Sequence, residues 1–296
     1  MRILLSGSTG LIGAELLPSL TVAQYEVSRL VRGKAGKNDV EWNPERPLSP
    51  NLVDGFDAVI HLAGENIAGR WTPEKKAQIR NSRVQGTRSL VDALGNTARK
   101  PRVFVCASAI GYYGDRGEEV LSEGSLPGRG FLPEVCKEWE AAAQRASQAG
   151  IRSVQMRFGI VLSGRGGALK KMLPPFRLGL GGIIGSGRQY WSWVSMVDVL
   201  GAIHHVLRME SVQGPVNMVA PQPATNAEFT EHLAAVLHRP AFLPMPAFAA
   251  RLALGEMADE LLLASQRVDP VKLRASGYTY QQPELTKALY HALMAQ

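Results

Sequence analysis

Cysteine is almost absent: Cys106 and Cys136 are the only two in 296 residues. Two thiols cannot build a disulfide framework or a cysteine metal site, so the chain is expected in a reducing compartment, the cytoplasm, with no metal. Long hydrophobic runs are missing too. The apolar N-terminus is interrupted by Gly7, Gly10, Gly13 and then Glu15, unlike a secretory signal. The apolar stretch 241–254 contains Pro244, Pro246 and Arg251 and falls short of the roughly 20 residues a membrane span needs, so no membrane partner is expected. Repeats, low-complexity tracts and dense basic segments are also lacking. Lys and Arg number 33 against 26 Asp and Glu, a net +7, yet they are scattered, with only short pairs such as Lys75-Lys76 and Lys170-Lys171. Without zinc-finger spacing or a basic helix, a solvated basic surface accounts for the charge, and no nucleic-acid partner is expected. A chain that is 45% hydrophobic and 20% charged is an ordinary globular protein with room for a large core.

What is present begins at the first apolar run, Ile3-Leu4-Leu5-Ser6, which leads directly into Gly7-Ser8-Thr9-Gly10-Leu11-Ile12-Gly13. A strand that turns sharply into a helix needs a residue free of Cβ constraints, and Gly7 meets that need. Gly10 lets backbone N–H groups approach a pyrophosphate, and Gly13 permits close helix–strand packing. The helix N-terminus offers unpaired N–H donors and partial positive charge to the phosphates. Leu11, Ile12, Leu16, Leu17 and Leu20 follow at helical spacing, which places the motif in the strand–turn–helix context that dinucleotide binding requires.

Further strand-like runs occur at 27–31, 58–62, 103–107 and 154–158, with helical patterns at 11–20, 73–94 and 132–149 between them. The alternation predicts an α/β fold, a Rossmann-like doubly wound parallel sheet, with a small, mostly helical C-terminal segment on the substrate side. Glycines crowd 159–187 and Pro174-Pro175 interrupts any long helix there, so this region reads as substrate-pocket loops, about 159–190. Thr225-Asn226-Ala227-Glu228 is a capping-box pattern opening a helix to about Leu237. A helical patch at 248–263 and a terminal helix at 283–293 follow. The expected division is a dinucleotide-binding domain over 1–240 and a small domain over 241–296.

The second strand ends at Val31 and is followed by Arg32, with no acid at the strand end. That corner lies beside the adenosine ribose, where an acid would bond the 2′-hydroxyl and an arginine would accommodate a 2′-phosphate, so NADP is the expected cofactor. Asp57 to Gly64 is another strand ending in small residues. Leu62, Ala63 and Gly64 allow a ring or ribose to lie against the backbone, while His61 reads as a satisfied core histidine.

Together these elements resemble the extended short-chain dehydrogenase/reductase, or NAD-dependent epimerase/dehydratase, superfamily. The likeness continues through Arg83-Val84-Gln85-Gly86-Thr87, Ser108-Ala109-Ile110-Gly111-Tyr112-Tyr113-Gly114 and Asp198. More narrowly, the chain is similar to the atypical epimerase family proteins with a small C-terminal domain of unknown function. The segments that carry this likeness are Leu62 to Ile67, Met172 to Gly182, Ile184 to Gln189 and Asn217 to Pro221. The resemblance implies a cofactor site of Gly7, Thr9, Gly10, Leu11, Ile12, Gly13, Val31, Arg32, Leu62, Ala63 and Gly64. Arg83 and Arg157 are expected near the NADP phosphate, its ribose or a bound anion.

One departure matters: the Tyr-x-x-x-Lys pair of the superfamily is missing. Aligned on Glu140, the tyrosine and lysine positions hold Leu132 and Cys136, and the usual supporting Asn is Arg83. The ordinary proton-transfer group is therefore gone. Tyr113, then Tyr112 and Ser108, are the candidate replacements. The implied activity is an NADP-dependent oxidoreductase or nucleotide-sugar-epimerase-like enzyme acting on a small molecule. The alternative is an NADP-binding sensor or interaction protein without turnover. A homodimer is compatible with either.

Overall fold

Short apolar runs such as Ile3-Leu4-Leu5 and Ala58-Val59-Ile60 are buried on both faces only when helices cover both sides of a sheet. The computed structural model, which describes residues 1–294, is built in that way. In chain order come β1 (Arg2–Ser6), α1 (Leu11–Val22), β2 (Glu26–Val31), β3 (Val40–Glu41), β4 (Ala58–His61), α2 (Pro73–Gly95), β5 (Val103–Ala109), β6 (Val120–Leu121), α3 (Phe131–Gln148) and β7 (Arg152–Phe158). They are followed by β8 (Ile160–Leu162), α4 (Gly167–Arg177), β9 (Tyr190–Trp191), β10 (Trp193–Ser195), α5 (Met196–Arg208), β11 (Gly214–Met218), β12 (Ala224–Thr225) and α6 (Asn226–Leu237). The last elements are α7 (Ala247–Leu254), β13 (Arg267–Val268), α8 (Val271–Ala275) and α9 (Leu285–Met294).

Seven strands form one parallel sheet in the order β11-β7-β5-β4-β1-β2-β3. The order reverses between β1 and β4, and the carboxyl ends of strands at such a reversal frame a ligand crevice. Helices α2 and α3 pack together on one face, α1 and α5 on the other. Local chemistry sets the helix starts. Thr72 Oγ1 accepts from Lys75 N ahead of Pro73 in α2, and Thr225 and Glu228 form the reciprocal capping box of α6 that the sequence announces.

Two readings need correction, and two strands were not foreseen. Residues 167–177 form helix α4 rather than loop: Leu169, Leu173 and Phe176 recur at helical spacing on a buried face, and that burial outweighs the amides lost at Pro174 and Pro175. The patch at 248–263 is two elements, because Gly255 (φ +63°) ends α7 before a π-helical turn at Ala258–Leu263. Strands β3 and β11 had no distinct apolar run to announce them; Gly214 and Pro215 open β11 and Val40 and Glu41 alone make β3.

The C-terminal residues are bonded into the rest of the molecule. β13 pairs with β6, and α9 packs on α6 in a second core with Trp191, Trp193 and Phe229. Asp198, fully buried at the start of α5, accepts from Ser195 Oγ (2.8 Å), Tyr278 Oη (3.0 Å), Gln281 N (2.7 Å) and Gln282 N (3.0 Å).

A buried polar chain ties β1, β4, α2 and α3 together. Ser6 Oγ accepts from the N–H of Leu62 (3.2 Å) and Ala63 (3.3 Å), so its proton goes to His61 Nδ1 at 2.6 Å. The ring is thereby a neutral tautomer whose Nε2 proton is donated to Thr87 Oγ1 (3.1 Å), which also accepts from Trp139 Nε1 (3.0 Å). Burial lowers the His61 pKa to about 4. An unfolded histidine binds its proton near pH 6.5, so between pH 6.5 and 4 protons favour the unfolded chain and stability falls with pH. The expected contribution is about 3 kcal/mol lost by pH 4. Urea unfolding at several pH values should show a shallower acid slope for His61→Gln than for the parent; equal slopes would contradict the assignment.

Candidate functional site

At the carboxyl end of β1 the backbone is packed to its limit. Gly7 has φ +73°, and a Cβ there would lie 2.6 Å from Leu62 C; one on Gly13 would lie 2.1 Å from Gly7 O. No residue with a side chain fits at either position. Gly10 N donates to Gly7 O at 3.0 Å, closing the turn, and around Gly10 only Gly7 O approaches. Helix α1 then starts with neither a side-chain cap nor an acidic residue in its first turn, leaving its first N–H groups and its positive end to an outside acceptor. Thr9 is exposed there, and Leu11 and Ile12 are half-buried.

Val31 ends β2, and Arg32 stands exposed just beyond it. The nearest downstream acid, Asp39, is occupied: Arg29 donates to it from Nε (2.9 Å) and Nη2 (2.5 Å), and the Arg29 guanidinium holds its carboxyl below the usual range. Beyond β4, Leu62, Ala63 and Gly64 run past the Ser6 hydroxyl, and the guanidinium of Arg83 lies over Gly64, with Cζ 3.3 Å from where a Cβ would be. Glu65 follows, paired with Lys75 Nζ at 2.5 Å and held below the usual carboxylate range by that lysine and, more weakly, by Arg32 and Arg83. Three cations thus surround one carboxylate at this end of the cleft.

The neighbouring strand ends carry a polar row. Register sets Ser108 on β5 and Asn217 on β11 on either side of Arg157 on β7. Glu140 of α3 meets Arg157 bidentately, Nε at 2.8 Å and Nη2 at 2.7 Å, and also accepts from Ser108 Oγ at 2.6 Å. Arg157 Nη1 donates to Tyr113 Oη at 2.8 Å, and that hydroxyl lies 2.7 Å from Asn217 Oδ1 and 3.0 Å from the Ser122 carbonyl. Burial opposes the Arg157 charge, yet the Glu140 carboxylate keeps its pKa above the ordinary value. The Tyr113 phenol is pushed up to about 12, chiefly by burial.

The predicted residues therefore separate into two groups. Gly7, Thr9, Gly10, Leu11, Ile12, Gly13, Val31, Arg32, Leu62, Ala63, Gly64 and Arg83 lie along the ends of β1, β2 and β4. Arg157 does not join them as a free cation, since it is 2% exposed and neutralised by Glu140. Ser108 and Tyr113 are likewise buried, with their hydroxyls engaged. Tyr112 is different. Its half-buried ring rests on the Arg157 guanidinium at 3.6 Å, and its hydroxyl has no protein partner among the described residues.

Leu132 and Cys136 face the same end of β5. The Leu132 Cβ lies 3.4 Å from where a Cβ on Gly111 would stand, and the buried Cys136 thiol is pushed up to about 12, chiefly by burial. Sequence reasoning gave no role to Asn217, Glu123 or Glu260. Glu260 lies 129 residues from Phe131, yet its two oxygens cap α3 by accepting from Phe131 N (2.7 Å) and Leu132 N (2.7 Å). The one local signal was Gly130, where a Cβ would lie 2.5 Å from Glu260 Oε1. Among the described residues no cluster of His, Cys, Asp and Glu could hold a metal, and no helix is long and apolar enough to cross a membrane.

Comparison with known proteins agrees with this architecture. Residues 3–219 match the NAD dependent epimerase/dehydratase family, and residues 245–292 match a domain of unknown function, DUF1731. Epimerase family protein Mb2239 of Mycobacterium bovis is 40% identical over 291 residues, 97% of this chain and 96% of that protein. The crystal structure of human epimerase family protein SDR39U1 (isoform 2) with NADPH superposes with a TM-score of 0.92 at 35% identity, covering 100% of both chains. UDP-glucuronic acid 4-epimerase from Bacillus cereus, in complex with NAD, shares the fold at 16% identity with a TM-score of 0.79, covering 99% of this chain and 96% of that one. This chain belongs to the NAD dependent epimerase/dehydratase family, as an epimerase family protein whose C-terminal part is the DUF1731 domain.

Proposed function

We propose that the protein is an NADP(H)-dependent oxidoreductase of a small polar molecule, working in the cytoplasm without the Tyr-x-x-x-Lys pair. The observation that carries this reading is the end of β2, where Arg32 is exposed and the neighbouring Asp39 is consumed by Arg29. The residue that follows Val31 is thus a planar guanidinium, which suits a 2′-phosphate; the exposed carboxylate across from Val31 is that of Glu41 on β3. The glycine turn fits the rest of the cofactor, because Gly7 and Gly13 let the turn pack against its own backbone while the surroundings of Gly10 stay open beside the uncapped start of α1. Gly7, Thr9, Gly10, Leu11, Ile12 and Gly13 would hold the pyrophosphate, Val31 and Arg32 the adenosine half, and Leu62, Ala63, Gly64 and Arg83 the nicotinamide half. The human relative, whose crystal structure is with NADPH, supports the choice of cofactor.

Bound NADPH supplies reducing equivalents; the proton must come from the chain. Ser108 and Tyr113 have their hydroxyls committed to Glu140 and to Asn217 and Ser122, so Tyr112 becomes the first candidate donor. Its ring lies on the Arg157 guanidinium, which holds it in place. We assign residues 1–240 to the cofactor-binding unit, and the turns of 159–190 with residues 241–296 to the wall on the substrate side. The commitment of Ser108 and Tyr113 equally favours a second reading, an NADP-binding sensor that has lost its chemistry.

Calorimetry should find NADPH bound about ten- to hundredfold more tightly than NADH, as a charged hydrogen bond to phosphate provides. The Arg32→Asp change should reverse the order; equal affinities in the parent would overturn the cofactor assignment. A metabolite mixture incubated with NADPH should show loss of NADPH absorbance. With the substrate so found, Tyr112→Phe should lower kcat about 10²–10⁴-fold at unchanged cofactor affinity. Undiminished kcat would remove Tyr112 from the chemistry, and absence of any turnover would favour the sensor.

A further inference from the structure

Helix α7 is inside out. Of its eight residues only Ala250 is buried, while Phe248 and Leu252, one turn apart, are 71% and 78% exposed. The strap that precedes it behaves alike. Ala241 bridges to Leu180, Leu243 N donates to Gly181 O (3.0 Å) and Met245 N to Ile183 O (2.8 Å), so residues 241–245 are bonded along 180–184. A Cβ on Gly182 would lie 2.1 Å from Leu243 O, so closely do the two backbones run. Phe242 on this strap is nonetheless 72% exposed, as is Leu178 at the end of α4, at 74%. Leu180, Leu243 and Met245 are exposed beside them. Large apolar side chains scattered singly over a surface carry no meaning, but seven gathered on two bonded segments and the helix that follows mark an interaction site.

The charge around this tract has one sign. Residues 164–189 and 232–255 hold seven lysines and arginines and no aspartate or glutamate. Arg165 is paired with Glu15 and Arg251 with Asp259, whereas Lys170, Lys171, Arg188 and Arg239 are exposed and form no ion pair among the described residues. Glu256, the first acid after α7, is taken by Lys76. Lys170 and Lys171 lie on the outer side of α4, whose Leu169, Leu173 and Phe176 face the core, and that side leads to Leu178. Arg239 precedes Pro240, whose Cγ is 3.4 Å from where a Cβ on Gly179 would stand, so cations of α4 and of the strap border the same apolar tract. A second copy of the chain would set cations against cations here. A surface of anionic lipid matches both properties, the acyl boundary taking phenylalanine and leucine and the headgroups taking lysine and arginine. Lying on such a surface needs no membrane-crossing helix, and none is present among the described residues.

We propose that the protein docks peripherally on anionic membranes through this face: Phe242, Phe248 and Leu252 enter the acyl boundary, while Lys170, Lys171 and Arg239 meet the anionic headgroups. The backbone bonds to 180–184 hold the strap in its outward form before lipid is met, which leaves little ordering for the docking step. None of these residues belongs to the cofactor site proposed above.

The experiment is sedimentation of the full chain with vesicles of phosphatidylcholine alone and with vesicles of equal parts phosphatidylcholine and phosphatidylglycerol. Binding is expected on the mixed vesicles only, weakening as salt is raised. Lys170→Gln with Lys171→Gln should lower the partition coefficient about ten- to thirtyfold, and Phe248→Ser about ten- to hundredfold. All three side chains are exposed, so both variants should melt with the parent. Because Cys106 and Cys136 are buried, a cysteine introduced on the surface alone takes an environment-sensitive dye. On the mixed vesicles the emission of labelled Leu252→Cys should move to the blue, and that of labelled Val22→Cys, at the far end of α1, should not. No binding to the mixed vesicles, equal binding to both kinds, undiminished binding of both variants, or equal shifts from the two labels overturns the proposal. Dimerisation without vesicles that Phe248→Ser abolishes also overturns it, since a second copy then covers the face.

Discussion

A guanidinium and a carboxylate that meet bidentately in the interior stay together, because parting them strands two charges away from water. Arg157 and Glu140 are such a pair, and removing one partner of a buried pair typically costs about 3–5 kcal/mol. Its reach is wider than two residues. Glu140 also fixes Ser108, and Arg157 fixes the Tyr113 hydroxyl, which in turn rests on Asn217, so one ion pair binds β5, β7, β11 and α3 into a single polar layer. Groups that could have been mobile acids are instead framework, and Tyr112 is left as the phenol lying over that framework.

The other half of the cleft is governed by steric limits rather than charge. Gly7 and Gly13 admit no side chain, and α1 begins with its donors unpaired. Between these halves stands Arg83, which bonds only to backbone carbonyls and shares the nearby Glu65 carboxylate with Lys75 and Arg32. The C-terminal segment is part of the same construction. Glu260 supplies the cap that α3 lacks, and Asp198 gathers Tyr278, Gln281 and Gln282 at the head of α5. A disturbance of either contact is transmitted to helices that frame the site.

Much of this was legible in local sequence. The strand–glycine–helix unit, Arg32 at the end of β2, the capping box at Thr225 and the core role of His61 all depend on residues close together or on simple periodicity. Helix α4 was hidden because Pro174-Pro175 is a local signal for interruption, whereas burial of Leu169, Leu173 and Phe176 is a tertiary one. The role of Arg157 was hidden for the same reason. Nothing near it in sequence shows that Glu140 is its partner, and a lone arginine at a strand end reads equally as ligand or ion pair. Gly130 carried a faint trace of Glu260, visible only once the contact across the fold is known.

A crystal structure of the protein with NADPH bound tests the central claim most directly, because it shows the cofactor and the polar layer together. The account predicts the 2′-phosphate at Arg32 and the pyrophosphate at the start of α1, with Arg157 still on Glu140 and the Tyr113 hydroxyl still on Asn217. A structure in which Arg157 leaves Glu140 for the cofactor, or Tyr113 turns its hydroxyl into the cleft, would contradict it.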